Sequence, residues 1–421
     1  MTLIKTSLLN ALAVGVRVLT SILLNKILAV YVGPSGYATI GQFQNFVTLV
    51  TTFANGAINS GVTKYTAEYY DNEQGQIAIW KTAGTITLAG TLLTSFIIII
   101  LNEYLSLWIL NDKIYGNVFI WLGAGLLPFT LNGLLLSILN GRKEIRSFVL
   151  INIAGSLIGL FITGGLALSL GLVGALVALA ISQSIVFFVT LVFFYNTNWF
   201  KVSYIAGKIE LLKFQALGKF ALMALTSAIC VPISQMAVRD HLGVNFGWQA
   251  AGHWEALMRI SGLYLMLATV PLSIYYLPRI SEIRKLEDLK REVFIGYRFL
   301  LPLSMTGAFA IYVCRDWIIL LLFTTEFLPM RDLFAMQMIG DIAKIGSWLL
   351  AYVLLGKAVF KTYILLEIIF SFTWVGLVWL LTDSFGVSGA QIAYMINYLL
   401  YWLATGTIIY IFFYKNDSFN R

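Results

Sequence analysis

The chain has 421 residues, of which 59% are hydrophobic and 11% charged, whereas about a quarter of the residues in a soluble domain carry charge. This composition excludes a soluble globular protein and indicates a chain that crosses a membrane many times. The formal net charge is +8, but the basic residues are spread over short loops, so membrane orientation explains them better than nucleic-acid binding does. Both cysteines, Cys230 and Cys314, fall in apolar stretches, so neither a disulfide framework nor a metal site is expected.

Apolar stretches of about 20 or more residues, long enough to cross the hydrocarbon core as a helix, recur along the whole sequence. They predict twelve transmembrane helices with the approximate bounds 8–30, 40–63, 78–101, 115–140, 147–169, 172–195, 212–238, 250–277, 295–321, 332–356, 361–382 and 386–413. The connections are short, and no sizeable soluble domain is predicted on either side. The predicted fold class is therefore an all-α integral membrane protein.

The Lys and Arg residues of the predicted connections are distributed unequally between the two sides. If the N-terminus is cytoplasmic, nineteen of them face the cytoplasm and three, Lys113, Arg239 and Arg331, face outward. Cytoplasmic loops of membrane proteins carry the excess of positive charge. We therefore expect both termini to be cytoplasmic.

Six more basic residues lie within or at the margins of the predicted spans, where a charge costs roughly 2.5–3.5 kcal/mol unless it faces protein or water. They are Arg17, Lys26, Arg259, Arg298, Arg315 and Lys344. Because they share one sign, they predict a water-filled cavity that receives an anion. Lys26, Arg298 and Arg315 lie near span ends, where extension of the side chain to the membrane interface is the simpler explanation. The other three are the predicted substrate-binding cations.

Landmarks of the first half recur in the second half at a constant offset. Three pairs lie 215 residues apart: Gly141 and Gly356, Gly174 and Gly389, and Lys64 and Arg279. Each half has six predicted spans, so both halves keep the same orientation. This pattern predicts two six-helix bundles, an N-terminal lobe of residues 1–200 and a C-terminal lobe of residues 201–421. A parallel pseudo-twofold repeat would relate them around a central cavity.

Four short runs carry a resemblance to a known family. Residues 61–65 (GVTKY), 68–72 (EYYDN), 330–334 (MRDLF) and 340–344 (GDIAK) are similar to the Wzx-type polysaccharide flippases of bacterial inner membranes. They resemble most the branch that moves O-antigen units and enterobacterial common antigen lipid III. The resemblance implies a transporter, not an enzyme, with the fold of the multidrug/oligosaccharidyl-lipid/polysaccharide exporter superfamily.

The resemblance also implies a substrate and a mechanism. An undecaprenyl-diphosphate-linked oligosaccharide would be carried from the cytoplasmic to the periplasmic leaflet by alternating access. No cofactor is implied. Coupling of transport to an H⁺ or a Na⁺ gradient is left open. We expect a monomer that contacts membrane lipids and binds no nucleic acid. The candidate protein partners are a polysaccharide polymerase and a chain-length regulator.

Polar side chains on the first two spans are candidates for the cavity wall. Ser21 and Asn25 follow Arg17 at i+4 and i+8, so the three share one helical face. In span two, five polar residues are spaced 3, 4, 3 and 4: Asn45, Thr48, Thr52, Asn55 and Asn59. Two interpretations stay open. Arg17 either binds diphosphate or pairs with a carboxylate, and the stripe either lines a hydrated cavity or joins helices by hydrogen bonds.

Three carboxylates within the spans are the predicted coupling or gating residues. Glu255 precedes Arg259 by four residues, so the pair either only neutralises itself or faces the cavity. Asp341 and Lys344 lie at mid-membrane on one face. Either the substrate diphosphate competes with Asp341 for Lys344, or Asp341 and Lys344 form a static ion pair. Glu367 either pairs with a basic residue or binds a coupling cation.

Two rival functions are weighed against this hypothesis. A drug/cation antiporter of the same fold would need a cavity dominated by carboxylates, whereas the predicted cavity is mainly basic. A membrane glycan polymerase or ligase would need catalytic residues on sizeable external loops, and the predicted external loops are short. The sequence also contains no HExxH and no GxxxxGK[ST] motif.

Overall fold

The computed structural model describes residues 3–195, 197–357 and 359–419, and nearly all of them lie in helices. They pack as two compact units, Met1–Pro232 and Ile233–Arg421. The first unit contains α1 (Leu3–Ala54), α2 (Asn59–Glu68), α3 (Glu73–Ile100), α4 (Asn102–Leu110), α5 (Gly116–Gly141), α6 (Ile145–Tyr195) and the beginning of α7 (Leu211–Phe246). The second contains the end of α7, α8 (Trp248–Pro271), α9 (Leu277–Glu282), α10 (Leu286–Val313), α11 (Arg315–Leu322), α12 (Phe334–Gly356), α13 (Phe360–Phe385) and α14 (Ser388–Phe419).

Eight helices in the described part of the chain are long and apolar enough to cross a membrane. They belong to α1, α3, α5, α6, α10, α12, α13 and α14. A helix of about 20 apolar residues spans the hydrocarbon core. The chain is therefore a multi-pass, all-α membrane protein, as its composition predicts.

Two of these helices are much longer than one membrane crossing, and each is broken at a glycine. The break in α1 is at Gly33 (φ 69°, ψ −179°) and the break in α6 is at Gly171 (φ 57°, ψ −132°). A positive φ is readily adopted only by glycine. Pro34 follows Gly33 at once and suits the first position of a new helix, since it has no N–H to leave unpaired. Both breaks lie in predicted connections: Gly171 falls in the two-residue connection 170–171 as expected, whereas the connection 31–39 is reduced to a turn at Gly33.

The turn at Gly171 recurs at Gly386, 215 residues later, with nearly the same backbone angles (φ 58°, ψ −145°). Three residues after each turn lies another glycine, Gly174 or Gly389. At both, a Cβ atom would overlap with backbone of the residue eight positions earlier. Such close approach requires glycine in both halves. The recurrence is what an internal repeat predicts. A pseudo-twofold relation between whole bundles stays a prediction, as does the division into lobes at residue 200.

The predicted external connection 239–249 is wrong for most of its length. Helix α7 continues through Phe246, and only Gly247 (φ 89°, ψ 152°) separates it from α8. The polar residues from Arg239 onward suggested a loop. They are compatible with a helix because Arg239 is buried against an acidic partner on α8.

The segment 197–210 between α6 and α7 packs closely against α3 in the first unit. The hydroxyl of Thr85 donates to the carbonyl oxygen of Gly207 (3.0 Å) and accepts from the amide of the same residue (3.1 Å). A Cβ atom on Gly84 would overlap with the carbonyl oxygen of Ile205. The backbone of the connection therefore lies directly on the helix surface.

We predict that Gly84→Ala separates this segment from α3. Overpacking of a close contact costs roughly 1–3 kcal/mol, so the midpoint of thermal unfolding in detergent should fall by several degrees. Gly159→Ala on α6 is the matched control, because its Cβ position has no atom within 4 Å among the described residues, apart from the backbone of its own helix. Equal unfolding midpoints for the two variants would contradict the close packing.

Candidate functional site

A buried ion triad lies in the second unit, between the end of α7 and α8. Arg239, whose side chain is 1% exposed, donates from Nη2 to Oε2 of Glu255 at 2.5 Å and from Nε at 3.2 Å. The other carboxylate oxygen of Glu255 accepts from Nε of Arg259 at 3.0 Å. One carboxylate thus bridges two guanidinium groups, and the three side chains together keep one net positive charge.

The two arginines of the triad have different surroundings. The ion pair expected from the i, i+4 spacing of Glu255 and Arg259 is present. Arg239, predicted in an external loop, is instead the more deeply buried partner. Arg259 keeps 19% of its side chain exposed. A bridging carboxylate stabilises both cations, and Arg259 is the one whose guanidinium a ligand could still reach.

Asp341 on α12 is completely buried and is hydrogen-bonded through one oxygen. Its Oδ1 accepts from Ser261 Oγ (2.8 Å), Tyr394 Oη (2.8 Å) and Gln337 Nε2 (3.2 Å). Its Oδ2 is also buried, and no atom of the described residues forms a hydrogen bond with it. A buried carboxylate oxygen without a partner is costly. This oxygen is therefore a place where a proton, a cation or a moving side chain would be stabilised.

Lys344 lies one turn from Asp341 on the same helix, and aromatic rings surround its ammonium. Nζ lies 4.5 Å from the ring centre of Tyr398 and 5.3 Å from those of Tyr394 and Trp348. No carboxylate oxygen of the described residues lies within 4.0 Å of it. The structure therefore has no static Asp341–Lys344 bridge. The two residues are joined instead through Tyr394, which contacts both.

Glu367 on α13 is a second carboxylate within the electrostatic range of Lys344. Its Oε1 accepts a hydrogen bond from Tyr401 Oη at 3.4 Å. Lys344 also acts electrostatically on Asp341. The half-buried Lys344 thus interacts electrostatically with two carboxylates and bridges to neither. Such an arrangement can receive an added anion without first breaking a direct ion pair.

The candidates on α1 in the first unit keep their helical spacing but differ in burial. Arg17 is exposed and Ser21 is half-buried. Asn25 is buried, and its Oδ1 accepts from the hydroxyl of Tyr37 at 2.7 Å. That hydrogen bond joins the two parts of α1 across the break at Gly33. The structure therefore gives Asn25 a packing role and leaves Arg17 exposed.

The predicted polar stripe of span two is continuous only from Asn45 to Thr52. Helix α1 ends at Ala54, and Asn55 lies in a turn in which its Oδ1 accepts from the amide of Ala57 at 2.8 Å. Asn59 then begins α2, a separate helix. The chain can turn here because the segment contains a glycine with positive φ and an asparagine that caps its own turn.

Within the stripe, the side chains fall into two groups. The hydroxyls of Thr48 and Thr52 donate to carbonyl oxygens one helical turn earlier. The amide nitrogen of Asn45 and the amide oxygen of Asn59 are buried without a hydrogen-bond partner among the described residues. The threonines are thus satisfied by their own helix. The two asparagines retain capacity for a further partner.

Sequence patterns could have found part of the polar interior of the second unit. Gln337, Asp341, Lys344 and Trp348 are spaced 4, 3 and 4 along α12, which places them on one face. The partners on α8 and α14 give no such signal, because a single sequence does not tell which helices pack together. Ser261 was therefore missed. The described residues contain no group of three or more His, Cys, Asp or Glu that could hold a metal ion.

Comparisons with known proteins agree with this architecture. The sequence pattern of a family described as "Polysaccharide biosynthesis protein" matches residues 27–332. The Lipid III flippases of Escherichia coli (strain K12) and Shigella flexneri are each 30% identical to the chain over 406 residues, which cover 96% of it and 97% of each relative. A solved inward-facing multidrug resistance MATE family transporter of the MOP superfamily matches with a TM-score of 0.76 and 14% identity, over 94% of this chain and 98% of that one. The relatives confirm the predicted family, and the solved structure shows the fold.

We predict that Glu255→Gln is strongly destabilising because it leaves the buried Arg239 without its counter-charge. Removing one partner of a buried ion pair costs about 3–5 kcal/mol. The double variant Arg239→Met/Glu255→Gln should recover much of that loss, because the buried cation is removed as well. Thermal unfolding of the purified protein in detergent measures both.

The matched control is Arg331→Gln, which removes the exposed pairs of Arg331 with Asp316 and Asp332. Exposed pairs contribute about 0–1 kcal/mol, so its unfolding midpoint should stay near that of the wild type. If Glu255→Gln and Arg331→Gln behave alike, the triad does not support the second unit.

Proposed function

The chain belongs to the polysaccharide biosynthesis protein family, and from this we propose that it is a flippase for a lipid-linked oligosaccharide. The observation that carries the proposal is the 30% identity with Lipid III flippases over nearly the whole length of both chains. The charged candidate residues lie within the helices, and this placement is consistent with a transporter rather than an enzyme. The drug-antiporter alternative draws only on a shared fold at 14% identity.

The substrate is an undecaprenyl-diphosphate-linked oligosaccharide whose headgroup enters a cavity while the polyprenyl tail stays in lipid. Arg259 and Lys344 of the second unit and Arg17 of the first supply the positive charge that replaces bulk water around the diphosphate. Two observations support this role. Arg259 is partly exposed although it is ion-paired, and Lys344 is held by aromatic rings rather than by a carboxylate. Rings beside a cation also suit the apolar faces of sugars.

Translocation proceeds by alternating access between two six-helix lobes. The breaks at Gly33 and Gly171 support a twelve-helix count, since each divides one long helix into two of spanning length. Helices α7 and α8, of 36 and 24 residues, are long enough to span as well. The positive-inside bias supports cytoplasmic termini, and the bacterial relatives support a location in a bacterial inner membrane.

The membrane potential and an ion gradient are the two candidate energy sources. An inside-negative potential favours export of an anion by about 2.3 kcal/mol per charge per 100 mV. Asp341, with one buried oxygen that lacks a hydrogen-bond partner among the described residues, is the proposed coupling residue for H⁺ or Na⁺. Neutralisation of Asp341 would remove its electrostatic attraction for Lys344 and so make the ammonium more available to the diphosphate.

We predict that Lys344→Gln and Arg259→Gln each slow flipping of lipid-linked oligosaccharide in proteoliposomes by about 10–100-fold. That factor corresponds to the loss of one hydrogen bond to a charged group. Arg315→Gln is the control, because this exposed side chain donates to a backbone carbonyl oxygen near a helix end. Wild-type rates for Lys344→Gln, Arg259→Gln and Arg17→Gln together would exclude a cationic cavity.

We also predict that collapse of the coupling gradient slows wild-type flipping more than it slows the Asp341→Asn variant. The measurement is flipping in vesicles with a pH gradient, a Na⁺ gradient or a membrane potential imposed singly and then dissipated. Asn preserves the size of the side chain but can neither take up a proton nor balance a cation. A wild type indifferent to all three gradients would remove the coupling role of Asp341.

A further inference from the structure

Arg142, at the end of α5 in the first unit, is held by an amide and by aromatic rings. Its Nη1 donates to Gln76 Oε1 at 2.5 Å. Its guanidinium carbon lies 4.5 Å from the ring centre of Trp199 and 5.9 Å from that of Tyr70. Its Nε is buried without a hydrogen-bond partner among the described residues. The guanidinium is thus fixed in place with a donor unused.

Three lysines around Arg142 have similar surroundings. Their ammonium groups lie over tyrosine rings: Lys64 at 5.0 Å from Tyr65, Lys143 at 5.5 Å from Tyr70 and Lys213 at 3.9 Å from Tyr69. Together with Arg142 they form what we call the basic–aromatic cluster. A ring face attracts a cation but does not cancel its charge or occupy all its donors. The cluster therefore keeps its capacity to bind an anion.

The charge balance of the cluster differs from that of the corresponding region of the second unit. No carboxylate oxygen in the described part of the chain lies within 4.0 Å of Arg142, Lys143 or Lys213. In the second unit, 215 residues after Lys64, Arg279 is paired with Glu292 at 3.6 Å. At these corresponding positions, the second unit has a direct ion pair, whereas Arg142, Lys143 and Lys213 of the first unit have none among the described residues.

Lys143 occupies a backbone conformation that favours glycine. Its φ is +60°, in the tight turn that ends α5. A side chain with a Cβ atom is strained there. Glycine would suit the turn better, so the local backbone alone does not account for a lysine at this position.

We propose that the basic–aromatic cluster is a docking site for the diphosphate of the lipid-linked substrate, used before the headgroup enters the cavity. Two adjoining phosphates carry more charge than one phosphodiester and need several donors. The Arg142 guanidinium supplies a bidentate fork, and Lys143, next in the chain and beside the same ring, supplies a second cation. The proposal rests on the proposed function for its substrate and for the cytoplasmic location of this end of the unit.

The test is binding of farnesyl diphosphate to the purified full-length chain in detergent, compared with farnesyl monophosphate and with phosphatidylglycerol. All proteins carry Lys344→Gln, so that binding in the second unit is weakened throughout. Lys143→Gly should weaken diphosphate binding about tenfold, the effect of one charge-assisted hydrogen bond. Its thermal unfolding midpoint should stay equal or rise, because the strained turn is relieved. Lys143→Arg should retain the affinity.

The matched control is Asn111→Gly, at another non-glycine residue with positive φ (57°), in the turn after α4. It should leave diphosphate binding unchanged. Unchanged binding by Lys143→Gly, or a loss that accompanies a lower unfolding midpoint, would overturn the proposal. Equal affinity for phosphatidylglycerol would also overturn it, since any anionic lipid would then be the occupant.

Flipping assays in proteoliposomes separate this site from the proposed function. If diphosphate binding depends on Lys143 but no oligosaccharide lipid is flipped, the site stands and the proposed function fails. If the lipid is flipped and Lys143→Gly binds diphosphate like its parent, the proposed function stands and the docking site is refuted.

Discussion

Every polar or charged side chain inside a membrane-spanning helix bundle must find a partner within the protein, because lipid offers none. In the second unit this constraint selects the helix pairs. Glu255 joins α8 to α7 through Arg239, and Asp341 joins α12 to α8 and α14 through Ser261 and Tyr394. Apolar contacts could be rearranged with little loss in lipid, whereas these pairings have few alternatives. The buried polar groups thus define the packing as much as the apolar surfaces do.

The same constraint distinguishes structural charges from functional ones. Arg239 is fully buried and bonded to a carboxylate, so its charge is already balanced and it mainly supports the fold. Lys344 is half-buried and has rings rather than a carboxylate beside it, so its charge is stabilised without being cancelled. An anion that enters the protein gains more from the second kind of cation. The group that contacts a charged side chain is therefore a better guide to the role of that residue than its position within a predicted span.

Fold class, family and most spans could be predicted from the sequence, because apolar length and Lys/Arg bias act locally along the chain. Features that depend on a single backbone position or on helix pairing could not. The stripe from Asn45 to Asn59 has perfect helical spacing, yet the chain turns at Asn55 and Gly56. Arg239 resembled a loop residue because its partner lies sixteen positions away on another helix. Among the candidate residues, only the Glu255–Arg259 pair followed from spacing alone.

The two units share a glycine turn but differ in the chemistry of their charged residues. Gly171 and Gly386 recur because a tight turn between antiparallel helices permits little besides glycine, in either half. No such steric rule constrains the charged positions. The first unit has cations over aromatic rings at the end of α5, whereas the second has buried carboxylates at mid-helix. The charged residues can thus differ between the two units because such differences require no change in the turns that hold the helices together.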